Sequence, residues 1–324
     1  MNKSFKDNGG IMMNICKTKL AGVLTALIVM TCLPGFALAQ GNALVSCDWL
    51  SQNLNKPGLV ILDVGAFFHY EQKHIPGAVK AFGPWQAVND KYEPAMMPEP
   101  DDLVRMIRGY GVNNDSFVVL YDEGITADDT AVSARALWTF EALGYDKVAI
   151  LDGGFAAWEH KEKPISTQAT VPTMVGNFSG KLQADKLATL DEVKKSKAIL
   201  LDSRLPDEDF GHEKQNYVKR FGHLAHSKLW PISTMTIAGD NFSPSYLRSI
   251  DELQQMASGV GIPADKNAEI ITYSNKGLSA ALAYYVLHDL LGYKNVKLFD
   301  GSMVVAAEDM SIPIERYSWG FATK

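Results

Sequence analysis

Short apolar runs alternate with amphipathic stretches along most of the chain. In the first half, residues 60–63, 118–121 and 148–151 are apolar runs bounded by polar or turn residues; 199–202, 270–273 and 296–299 repeat this in the second half. Runs of that length, rich in Val, Ile and Leu, predict buried strands. Between them the spacing is helical. Ala134, Leu137, Trp138 and Leu143 precede Gly144, and Ala283, Val286, Leu287, Leu290 and Leu291 precede Gly292, each glycine acting as a stop. Strand–helix alternation places the chain in the α/β class, with mostly parallel sheets flanked by helices.

The pattern occurs twice. Residues 58–79 resemble 197–227, and 116–158 resemble 268–303. Asp63 pairs with Asp202 at an offset of 139, His74 with His223 at 149, Asp122 with Ser274 at 152, and Asp152 with Asp300 at 148. The drift in offset is the mark of loop insertions between two copies of one domain, not of a solenoid. The copies fall at 43–162 and 179–320. Between them, residues 163–178 lack periodicity, hold Pro164 and Pro172, and read as a linker.

The 324 residues are 47% hydrophobic with a net charge of −6, and no basic block points to nucleic acid. Lys17 and Lys19 precede an apolar run at 20–33, and Ala37 and Ala39 supply small residues for cleavage. This predicts a signal peptide over residues 1–39 and a periplasmic or secreted mature protein. The run is shorter than the roughly 20 residues of a spanning helix, so a retained anchor is the weaker alternative and no membrane span is expected in the mature chain. Met30 and Thr31 disfavour lipidation at Cys32. Residues 1–39 hold four lysines and one aspartate, leaving 27 basic and 36 acidic residues, a net −9. Cys16 and Cys32 leave with the signal. Cys47 alone remains, so neither a disulfide nor a cysteine metal cluster is available, and no metal or cofactor is expected. Cys47 precedes a helix predicted over 48–54 and reads as a small packing residue.

Chemistry concentrates where the strand at 270–273 hands over to a helix, since ligands of open parallel sheets bind at the carboxyl ends of strands. Backbone N–H groups of Asn275, Lys276, Gly277, Leu278 and Ser279 can curl into an anion nest backed by the helix dipole. An ordinary strand–turn–helix junction is the alternative. The order LD…HIPGA…VVLY-loop-helix…LGY…LDGG…W, repeated twice, resembles that of the tandem rhodaneses, the thiosulfate/mercaptopyruvate sulfurtransferases, over about residues 43–319. The resemblance implies two rhodanese-like domains, the second holding an active loop whose first residue is a cysteine that becomes a persulfide. Ser274 stands at that position. It also implies that Lys276 before Gly277 matches thiosulfate-using members, that Arg204 in Asp202-Ser203-Arg204 helps hold the anion, and that Asp122 marks a noncatalytic first copy. Asp122, Glu123, Asp128 and Asp129 would repel an anion there. Two departures accompany the serine: a Gly222-His223 turn replaces Pro-Gly, and Val305-Ala306-Ala307 stands where an aromatic is expected.

Sulfur transfer needs a thiolate, which a helix N-terminus and nearby cations can stabilise. A serine hydroxyl stays protonated there and needs a general base to attack. His288 is too far along the following helix at 1.5 Å per residue. His212, His223 and His226 read as loop and surface histidines. The expected function is therefore an exported, catalytically weak or inactive sulfurtransferase homologue. Its loop would hold a small sulfur-containing or other oxyanion, or an exported protein partner. The alternatives are a working sulfurtransferase passing sulfane sulfur to cyanide or a thiol, for which Cys47 is the sole candidate, and an assembly surface.

Overall fold

The computed structural model describes residues 43–65, 67–83, 85–86, 96–195, 197–237 and 243–317; the segment read as a signal peptide lies outside the described residues. The first half runs β1 (Leu44–Val45), α1 (Cys47–Asn53), β2 (Leu59–Asp63), α2 (Phe67–Gln72), β3 (Val79–Lys80), α3 (Pro100–Gly109), β4 (Phe117–Tyr121), α4 (Ala127–Ala142), β5 (Val148–Leu151) and α5 (Gly154–His160). Its five strands are all parallel, in the order β1-β5-β4-β2-β3. The second half opens with α6 (Leu190–Lys195), β6 (Ile199–Asp202), α7 (Pro206–Phe210), β7 (His223–Leu224), β8 (Lys228–Leu229), β9 (Thr236–Ile237), β10 (Tyr246–Leu247) and α8 (Ile250–Gly259). It closes with β11 (Glu269–Tyr273), α9 (Leu278–Tyr285), β12 (Asn295–Leu298), α10 (Ser302–Ala306) and β13 (Ile314–Glu315). Here the parallel sheet is β12-β11-β6-β8, with two small antiparallel pairs beside it.

The duplication extends to single hydrogen bonds. Val64 N donates to Tyr121 O at 2.9 Å, and Ser203 N to Tyr273 O at 3.0 Å. The Tyr121 hydroxyl accepts from Ile75 N at 3.3 Å, as the Tyr273 hydroxyl does from Leu224 N at 3.2 Å. Both central strands end in a buried tyrosine that fixes the crossover turn beside it.

Helix α4 starts with a capping box, Asp129 N on Thr126 Oγ1 at 3.2 Å and Thr126 N on Asp129 Oδ2 at 2.8 Å, and it stops before Gly144 at φ +79°. It is buried nearly all round because α9 of the second half packs along it. The two copies therefore share one core, which runs from Leu62 and Trp138 through Tyr284 and Leu287 to Leu298. After α9 the helix widens to a π turn over Val286–Leu290.

The stretch read as a linker is laid against the first half. Ser166 bridges to His74, Thr170 N donates to the Tyr70 hydroxyl at 2.9 Å, and Phe178 is buried edge-on against Phe140 and Tyr145. No described helix is long and apolar enough to cross a membrane.

Candidate functional site

Strand β11 is buried along four of its five residues and delivers Ser274 at its carboxyl end. The loop turns at Gly277, which caps α9 at φ +80°. A Cβ there would lie 2.7 Å from Asp300 Oδ1 and 2.9 Å from Arg135 Nη1, so glycine is required on both backbone and steric grounds. Ser274 is 2% exposed. Its Oγ accepts from Gly277 N at 3.1 Å, and its own N–H donates to Ser302 Oγ at 3.1 Å. No acid, base or cation side chain among the described residues hydrogen-bonds this hydroxyl. The N–H groups of Asn275, Lys276, Leu278, Ser279 and Ala280 have no acceptor among the described residues, so the loop presents a set of open donors at a helix N-terminus.

The charges around these donors nearly cancel. Lys276, half-buried, lies 5.8 Å from the Tyr217 ring centroid; desolvation lowers its pKa, and no described carboxylate pairs with it. Arg204, expected at the anion, is drawn instead onto Asp202 two residues before it: Nε lies at 3.0 Å and Nη2 at 2.6 Å from the carboxylate oxygens, and Nη2 also donates to Gly222 O at 2.9 Å. Buried Glu208 accepts from Asn275 Nδ2 at 2.7 Å and from Gln215 Nε2 at 3.1 Å, which sets a negative charge beside the loop.

Sequence reasoning missed three participants. Glu208 is one. Ser302 is the second: a non-glycine at φ +46° where the first copy has Gly154 at φ +54°, it holds Ser274 N while donating to Phe299 O at 2.8 Å. The repeat offset already aligned Ser302 with that glycine, so the signal was present. The third is a cover from the opposite half. Gln86 Nε2 donates to Lys276 O at 2.6 Å, Met97 N to Asp300 Oδ2 at 2.5 Å, and Arg135 pairs with Asp300 Oδ1.

The equivalent loop of the first copy is built alike. Phe155 N donates to Asp122 O at 2.8 Å as Met303 N does to Ser274 O at 3.0 Å. Its cover comes from the second half: Ser245 N donates to Gly124 O at 2.7 Å and Leu247 N to Asp152 Oδ1 at 3.1 Å. Asp122 is buried, accepts from Ser133 Oγ at 2.5 Å and leaves Oδ1 without a partner; burial pushes its carboxyl up to about 7. Asp63 has Gly65 where Asp202 has Arg204, and burial without that cation raises it to about 6.

The remaining candidates lie elsewhere. His223 is not a surface residue: it is 5% exposed, with Nδ1 at 2.7 Å from Asp209 O, because β7 and β13 close over it. His212 and His226 are exposed, and Ser274 has no histidine among its hydrogen-bond partners in the described residues, its Oγ accepting from Gly277 N. His288 sits in the π turn against Lys186 and Asp289. Cys47 opens α1 in the first half at 1% exposure, and burial pushes its thiol up to about 11. A cleft of about 550 Å³ lined by Asp191, Lys195, Glu269 and Lys294 opens at the amino-terminal ends of β11 and β12, away from Ser274.

The rhodanese-like domain family model matches residues 46–161 and again 184–308. A Mycobacterium leprae protein described as a thiosulfate sulfurtransferase is 30% identical over 290 residues, covering 86% of this chain and 99% of its own. The 3-mercaptopyruvate sulfurtransferase of Escherichia coli K12 is 28% identical over 289 residues, with 84% and 97% covered. The crystal structure of SseA, a 3-mercaptopyruvate sulfotransferase from Escherichia coli, superposes with a TM-score of 0.68 at 27% identity, over 81% of this chain and 98% of that one. Two matched domains, a sheet topology repeated to the hydrogen bond and relatives covered nearly end to end lead to one conclusion: this chain belongs to the tandem rhodanese sulfurtransferase family.

Proposed function

We propose that this protein is an exported rhodanese-family member that binds at the Ser274–Ser279 loop without turning its ligand over. The observation that carries this reading is the hydroxyl of Ser274, which accepts from Gly277 N and has no base upon it. A persulfide needs sulfur as nucleophile and carrier, and an alcohol held by one amide donor supplies neither. The open amides of Asn275, Lys276, Leu278 and Ser279, with the Lys276 ammonium, suit an oxyanion such as thiosulfate or sulfite. With Arg204 neutralised by Asp202 and Glu208 alongside, the amides rather than net charge supply the attraction, so affinity is weak. Export rests on the lysine-flanked apolar run and the Ala37–Ala39 spacing.

A working sulfurtransferase would have to use Cys47, which is buried in the opposite half with its thiol held protonated near neutral pH. Cyanolysis separates the readings. With thiosulfate and cyanide, the parent is expected to release no more thiocyanate than buffer. Ser274→Cys, whose thiol would meet the Gly277 N–H and the helix N-terminus, is expected to exceed the parent at least tenfold. Parent turnover abolished by Cys47→Ala would overturn the proposal. Calorimetric titration with thiosulfate, sulfite and phosphate tests the ligand class, and no binding of any would leave a protein partner.

A further inference from the structure

The interface between the two halves holds a second polar site, remote in function from the Ser274 loop. Glu141 comes from the last turn of α4; His288 and Asp289 come from the π turn that follows α9. His288 and Asp289 are consecutive residues of that turn. The imidazole Nδ1 lies 3.1 Å from Asp289 Oδ1 and 3.7 Å from Glu141 Oε2. Glu141 is oriented by the Tyr284 hydroxyl, which donates to Oε2 at 2.9 Å, and the Tyr284 ring stacks on His288 at 5.0 Å.

Two carboxylates close together in a buried site cannot both stay ionised without a positive partner. Asp289 is 8% exposed; its Oδ2 is buried without a donor, and its carboxyl meets that of Glu141 in a contact that only a shared proton or a cation satisfies. Among the described residues no lysine or arginine pairs with either acid. The nearest, Lys186, has its Nζ 2.9 Å from His288 Nε2 instead. Without an ion the two acids are satisfied by sharing a proton, with the Lys186 charge acting on both from a distance.

We propose that Glu141, His288 and Asp289 form a divalent-cation site of the zinc class that ties the first half to the second. All the candidate ligand atoms lie within 4.8 Å of one another. A tetrahedral ion with bonds of 2.0–2.2 Å sets neighbouring ligand atoms about 3.4 Å apart, and the two separations at Nδ1 bracket that value. Metal on Nδ1 places the imidazole proton on Nε2, so the Lys186 ammonium, now 2.9 Å from that nitrogen, has to move off it.

The test is titration of the chelator-treated, full-length mature protein with Zn²⁺. The expected result is one ion per chain and a higher Tm in the loaded protein. Glu141→Gln and Asp289→Asn should each weaken binding by more than the ~10- to 100-fold that loss of an outer-shell partner costs. His226→Ala, at an exposed histidine, should change nothing. Absence of stoichiometric uptake by the folded parent would overturn the proposal, leaving a carboxylic acid pair sharing a proton. So would uptake that survives both acid substitutions but is lost in His226→Ala. Because the parent titration decides alone, misfolding of a variant does not shelter the idea.

Discussion

Asp122 and Ser274 end equivalent strands, accept the same backbone amide on their carbonyls and differ in one side chain. The difference is electrostatic. Ser274 is neutral at every relevant pH, whereas Asp122 is a buried acid with one unpartnered oxygen and a pKa raised by burial to about 7. Between the ordinary carboxylate range and pH 7 the folded protein holds a proton on Asp122 that the unfolded chain has lost. Folding stability from this group is therefore complete below about pH 4 and declines as pH rises through 7. Asp63, raised to about 6, acts in the same direction. The urea midpoint of the parent should fall from pH 4 to pH 8, and Asp122→Asn, which cannot ionise, should flatten that fall while leaving the midpoint at pH 4 little changed. An unchanged slope in the variant would show that the ionisation of Asp122 does not cost the fold.

At the scale of the strand–loop–helix unit, Gly277 does what no other residue can. Gly292 provides the control: its φ is +73°, but nothing lies within 4 Å of where its Cβ would be. Gly292→Ala should cost only the left-handed backbone penalty of about 1–2 kcal/mol. Gly277→Ala adds a Cβ 2.7 Å from Asp300 Oδ1, disturbing the buried pair with Arg135, and should cost about twice as much or more in denaturant unfolding. Equal losses in the two variants would mean that the loop shifts to absorb the methyl group. This unit was also the most legible part of the sequence. Strands ending in Tyr121 and Tyr273, glycine stops and repeat offsets all follow from local periodicity and turn chemistry. The site was legible only as a backbone. That Glu208 reaches Asn275 and that His223 is buried depend on packing between distant segments, while Arg204 folding onto Asp202 is a local pairing that the sequence spacing does not distinguish from an open guanidinium. The π turn at Val286–Leu290 leaves no mark in the apolar spacing, since Val286, Leu287 and Leu290 fit an α-helix equally well.

At the scale of the whole molecule, each half finishes the other. Met97 caps Asp300 from the first half, Leu247 caps Asp152 from the second, and α4 lies along α9 in a common core. The Arg135–Asp300 pair is the electrostatic centre of this arrangement, with side chains 1% and 8% exposed. Removing one member of such a pair leaves an unpaired buried charge and costs about 3–5 kcal/mol, whereas replacing both by apolar groups can be nearly neutral. Asp300→Asn leaves the Arg135 guanidinium without a counter-charge next to the Ser274 loop, so it should destabilise the protein strongly. Arg135→Met combined with Asp300→Leu should recover part of that loss, though Met97 N then loses its acceptor. Because the core is common, scanning calorimetry should show one transition in the parent, and the Asp300→Asn transition should move down as a unit. Two resolved transitions, or a loss confined to one of them, would mean that the halves fold independently and that the contacts across them are docking rather than folding.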